Sequence, residues 1–73
     1  MADSLASSPI AQIGHTAGEV WRTLNEKGPM TLARLVKSIA QPRDNIMQAI
    51  GWLAREDKLI IEVNGRRRVI RLK

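Results

Sequence analysis

Three consecutive arginines, Arg66-Arg67-Arg68, follow an Asn64-Gly65 pair near the end of the chain, and Arg71 comes three residues later. Guanidinium groups this close together are suited to phosphate oxygens, which they bind through charge and paired hydrogen bonds. A second set, Arg43, Asn45 and Gln48, lies within six residues. Arginine can pair with guanine, and asparagine or glutamine with adenine, by two hydrogen bonds in the major groove. Asp44 stands among them and would repel a phosphate unless Arg43 or Arg55 neutralised it. Catalysis is a poor match. The only histidine is His15, there is no cysteine and no glycine-rich phosphate loop, while nucleophilic, metal and phosphoryl-transfer centres all need several convergent groups. The chain is therefore not expected to be an enzyme, and no metal, cofactor or small-molecule substrate is indicated.

The charge is unevenly placed. Over 73 residues there are 12 Lys+Arg against 7 Asp+Glu, a net charge of +5. Residues 1–57 hold equal numbers of each sign, so the excess belongs to residues 58–73, where Glu62 is the single acid. A positive field would come from one end of the molecule. The length suits one domain near the lower limit for a self-sufficient core, which keeps a homodimer among the expected states. No apolar run approaches the ~20 residues of a spanning helix, and the start of the chain has neither a basic n-region nor an apolar h-region. A cytoplasmic location is the expectation.

Residues 1–9 (MADSLASSP) are small, polar and without periodicity, and are expected to form a disordered leader before a domain over 10–73. From Ile10, the positions Ile13, Ala17, Val20, Trp21 and Leu24 recur at helical spacing, and the Thr16/Glu19 pair offers an alternative start at Thr16. Lys27-Gly28-Pro29 ends that helix. Met30 is expected in a very short strand, with Thr31 capping a second helix that carries Leu32, Leu35, Val36 and Ile39 on one face. Pro42 suits the first position of a third helix running to Arg55 or Glu56, which would bury Ile46, Ala49, Ile50, Trp52 and Leu53. Trp21 and Trp52 are both expected in the core, which weighs against single-strand binders that display several aromatic platforms. Gly14 and Gly18 suggest close packing of the first helix against a neighbour.

Residues 59–72 read as a β-hairpin because a β-rich run meets Asn64-Gly65. With those two as the turn, Val63 would face Arg66, Ile60 would face Val69 and Leu59 would face Ile70. One hairpin face would then hold Leu59, Ile61, Val63, Ile70 and Leu72 against the helices. The other would hold Ile60, Glu62, Arg67, Val69, Arg71 and Lys73. A three-residue loop would reverse one strand's facing. In the two-residue register Ile60 and Val69 form an outward apolar pair, a candidate dimer contact.

Three helices followed by a β-hairpin wing, with a short strand before the second helix, is an α+β winged helix-turn-helix order. Two runs sharpen this: Ile13-Gly14-His15-Thr16-Ala17-Gly18-Glu19-Val20-Trp21, and Gly51-Trp52-Leu53-Ala54-Arg55-Glu56-Asp57-Lys58. They resemble the two hallmarks of a small prokaryotic winged-helix family of uncharacterised function, a likeness extending from Ile10 to the C-terminus. The expected function is duplex-DNA binding in transcriptional regulation, with phosphate contacts from Arg66, Arg67, Arg68 and Arg71 and groove contacts from Arg43, Asn45 and Gln48. The alternative is a protein-interaction or dimerisation module on the same fold, using Ile60 and Val69 and no nucleic acid.

Overall fold

The computed structural model describes residues 8–73. The first helix, α1, runs Pro9–Lys27. Ser8 caps it, its hydroxyl accepting from the Ala11 amide at 3.0 Å, and Pro9 occupies the first turn, where a missing N–H costs nothing. The helix thus starts one residue before Ile10 and seven before Thr16, which lies buried in mid-helix instead of capping it. The disordered leader expected for residues 1–9 otherwise falls on 1–7, outside the described residues. At the other end Gly28, at φ 80, sends its N–H back to the Leu24 carbonyl at 2.8 Å. That left-handed turn stops the helix and releases Met30–Thr31 into β1.

Thr31 has two roles. Its backbone pairs with Val69, and its hydroxyl accepts from the Arg34 amide at 3.3 Å, capping α2 (Leu32–Ser38). After the corner at Ile39–Gln41, Pro42 holds the N-cap position of α3 (Arg43–Arg55), one place earlier than expected. Its extended backbone (φ -57, ψ 145) points its carbonyl at the Ile46 amide. The end of α3 is a Schellman turn: the Asp57 amide reaches the Ala54 carbonyl, and the Lys58 amide reaches that of Leu53. Asp57 is the one described non-glycine residue at positive φ, 62, a geometry that aspartate tolerates better than most side chains. The turn aims the chain directly into β2.

Strands β2 (Leu59–Asn64) and β3 (Arg67–Leu72) form the hairpin, and the sheet order is β1-β3-β2, all antiparallel. β3 is the central strand, and Ile70 on it is 1% exposed. Beneath it the helices supply Ala17, Val20 and Leu24 from α1, Leu35 from α2, and Ile46, Ala49, Ile50 and Leu53 from α3. These positions repeat every three or four residues, so each helix turns one aliphatic stripe inward.

The two tryptophans do not join this core. Trp21 is 40% exposed and Trp52 46%. Each adjoins a packed aliphatic position, Trp21 following Val20 and Trp52 preceding Leu53, at the shoulder of its stripe rather than its centre. A core of small aliphatic chains between short elements closes without a place for an indole. The close packing expected at Gly14 and Gly18 is also absent among the described residues. A methyl group at Gly14 would meet nothing within 4 Å, and one at Gly18 only the Arg22 guanidinium at 4.0 Å.

Candidate nucleic-acid interface

The turn of the hairpin decides where the arginines stand. Asn64 pairs with Arg67, so the two turn residues are Gly65 and Arg66, not Asn64 and Gly65. A turn centred on Asn-Gly would need positive φ at both residues, and among the described non-glycine residues only Asp57 has it. Gly65 alone is left-handed, φ 66, in the first turn position, where a type II′ turn places glycine. The register is therefore displaced by two residues from the expected one: Val63 faces Arg68, Ile61 faces Ile70, and Leu59 faces Leu72. A displacement of two preserves the facing of every side chain, so the division into an inner and an outer face stands.

The displacement does remove the expected Ile60–Val69 pair. Ile60 faces Arg71, and Val69 faces Glu62. Both are half-buried, and the Arg71 guanidinium lies 3.3 Å from the Glu62 carboxylate on the same outer face. The Arg71–Glu62 ion pair thus crosses the outer face, on which Ile60 and Val69 are diagonal neighbours and not the directly opposed pair that was expected.

Beyond the body the wing projects freely. Val63 is 72% exposed and Ile61 41%, because the helices end before the hairpin does. Arg66, Arg67 and Arg68 are exposed and make no ion pair among the described residues. Together with Arg34 and Arg43 they line one concavity of about 630 Å³, whose remaining wall is Thr31, Leu32 and Ala33. Five arginines and, among the described residues, no acidic one line this space. Like charges gathered this closely give the concavity a positive potential.

Arg34 is the member that sequence reasoning missed. It lies three residues after the Thr31 cap, and the pairing of β1 with β3 carries that cap to the foot of the wing. Its signal was its position in the first turn of α2, next to a strand. Arg71 and Lys73 behave differently from the tip arginines. Arg71 is engaged by Glu62, and the Lys73 ammonium lies 2.6 Å from the Asp57 carboxylate. The third helix is mixed: Arg43 and Gln48 are exposed, Asn45 is half-buried, and Asp44 is exposed without an ion pair among the described residues. His15 is on the first helix, 3.7 Å from Glu19, whose carboxylate also accepts from the Gln41 side chain at 3.0 Å.

This arrangement of three helices, a three-stranded sheet and a projecting hairpin has relatives. A family model described as "Winged helix-turn-helix domain (DUF2582)" matches residues 9–72. The chain belongs to this winged helix-turn-helix family. Over 65 residues it is 38% identical to "Uncharacterized protein MJ1608" of Methanocaldococcus jannaschii, covering 85% of this chain and 91% of that one. The solution NMR structure of protein BT2368 from Bacteroides thetaiotaomicron is similar with a TM-score of 0.76 and 32% identity, over 85% of this chain and 76% of that one. The family's fold fits nucleic-acid binding in general and is typically non-enzymatic. No described helix is long and apolar enough to cross a membrane.

Proposed function

We propose that this winged-helix domain binds duplex DNA, in the service of transcriptional regulation, and that the wing supplies most of the binding energy. The observation that carries the reading is the groove of five arginines free of carboxylates at the junction of the wing, α2 and the start of α3. A row of guanidinium groups at that spacing takes up backbone phosphates, releasing condensed cations. Arg66, Arg67 and Arg68 make those contacts, with Arg34 and Arg43 closing the groove from the helix side. Arg71 contributes less, because Glu62 already competes for its guanidinium.

In helix-turn-helix proteins the third helix lies in the major groove. Here Arg43 and Gln48 are exposed for base-edge contacts, Asn45 is less accessible, and the unneutralised Asp44 opposes close approach to a phosphate. Base readout is therefore the weaker component, and phosphate contact the stronger. The role is positional and electrostatic, with no bond made or broken.

A salt-dependent anisotropy titration against duplex DNA, single-stranded DNA and RNA of equal length tests this. Log affinity for duplex should fall with log salt at about −0.9 per phosphate contacted. Arg66→Ala, Arg67→Ala and Arg68→Ala together should flatten the slope by up to about three units per protomer. Failure to bind any probe at low salt, or an unchanged slope in the triple variant, would refute the wing's role.

A further inference from the structure

The two exposed tryptophans lie away from the arginine groove. α1 and α3 pack side by side, and the outer edge of their junction is an open trough of about 1010 Å³ walled by Trp21 and Trp52. An indole half out of the core leaves a large apolar area in water, since aromatic side chains bury roughly 150–250 Å² each when covered. Both tryptophans of the chain lie in this one trough. Gly14 and Gly18 also line it, and among the described residues only the end of Arg22 comes near the space where their side chains would stand. A partner's backbone can therefore come close to α1 at these glycines.

We propose that this trough docks an acidic amphipathic helix from another protein. The charge at its rim selects that occupant. Arg22 and Lys58 are exposed at the edge and make no ion pair among the described residues, whereas Asp57 is already neutralised by Lys73 at 2.6 Å. The rim thus offers two cations without an ion pair among the described residues beside the two indoles, complementary to a helix with aliphatic anchors on one face and glutamates on its flanks. A second copy of this chain fits less well, because a two-fold contact would place the same Arg22 and Lys58 on both sides of the interface. The trough is also open rather than enclosed, which suits the side chains of a docked segment better than a single small molecule. It shares no residue with the arginine groove, so a docked partner would leave the wing free.

The trough carries its own reporter. The chain has no tyrosine or phenylalanine, so its intrinsic fluorescence comes from Trp21 and Trp52 alone. The full chain is titrated with a peptide of about five helical turns bearing leucines at three- and four-residue spacing and glutamates elsewhere, and with a twin carrying lysines for glutamates. The glutamate peptide should give a saturable blue shift and bind at least about tenfold more tightly than the twin. Arg22→Glu with Lys58→Glu, both on exposed positions, should reverse that preference while circular dichroism and the salt slope of duplex-DNA binding stay unchanged. Trp52→Ala should weaken peptide binding by about tenfold or more. Equal affinity for both peptides, or no saturable shift with either, would overturn the proposal. So would an emission shift that depends on protein concentration alone, since a second copy would then be the occupant.

Discussion

The wing and the helical body place their surface chemistry in opposite ways. On the hairpin, Arg66, Arg67 and Arg68 stand exposed on a two-residue turn and the first steps of β3, and no carboxylate among the described residues pairs with them. In the body, Trp21 and Trp52 are held by helices whose adjacent positions are fully packed, so their exposure is a consequence of how the core closes. The wing's charge can be removed at almost no cost to folding, because nothing buried depends on it. The helices' surface cannot be altered so freely, since every shoulder residue sits one step from the core. Binding strength and fold stability should therefore separate along the chain.

The strongest attack on that separation is made in the core. Ile46→Ala, at a position with no exposure, should destabilise the domain by about 2–5 kcal/mol through lost burial and an unfilled cavity, as measured by urea unfolding. A loss below about 1 kcal/mol would mean that the body is less tightly packed than the contrast requires. The triple arginine replacement is the mirror experiment. It should reduce DNA affinity by orders of magnitude at low salt while moving unfolding free energy by no more than about 0.5 kcal/mol.

Smaller changes sharpen the comparison within the wing. Gly65→Ala places a side chain at φ 66 and should cost about 1–2 kcal/mol, distorting the tip and lowering DNA affinity along with stability. Gln48→Ala should change sequence preference by about 1–3 kcal/mol between sites and leave the salt slope as it was, provided the third helix reads bases. An equal loss on every sequence would demote Gln48 to a backbone contact. Arg71→Ala should have the smallest effect on the slope, less than Arg68→Ala, because its charge is shared with Glu62. A drop as large as that of Arg68→Ala would show that the ion pair opens on binding.

Much of the fold was readable because local chemistry and burial agree. Thr31 caps its helix, Gly28 ends α1, Pro42 marks the corner, and the aliphatic spacing of Leu35, Ile46, Ala49 and Ile50 identifies the faces that meet. The hairpin was legible in kind and in facing, but its register was not. Asn64-Gly65 and Gly65-Arg66 both make two-residue turns, and the alternatives differ by two residues, which leaves the inward and outward sets identical. Pattern alone has nothing with which to choose between them. The candidate site was partly visible for the same reason: the arginine run is contiguous in sequence, whereas Arg34 reaches it only through the pairing of β1 with β3.

The tryptophans mark the other limit. Helical spacing places Trp21 and Trp52 near a buried stripe, yet whether a shoulder residue is covered depends on the volume available after three short helices and a small sheet have met. That volume is a property of the assembled body, not of any one helix. Composition and order determined by themselves that this is a basic, cysteine-free winged helix whose whole excess charge lies in the last sixteen residues, since those properties are set residue by residue. Tertiary structure decided which cations remain unpaired, that Arg34 and Arg43 complete the wing's groove, and that the two indoles stay half in water. Each of these depends on distances between residues far apart in the chain, which local propensity does not encode.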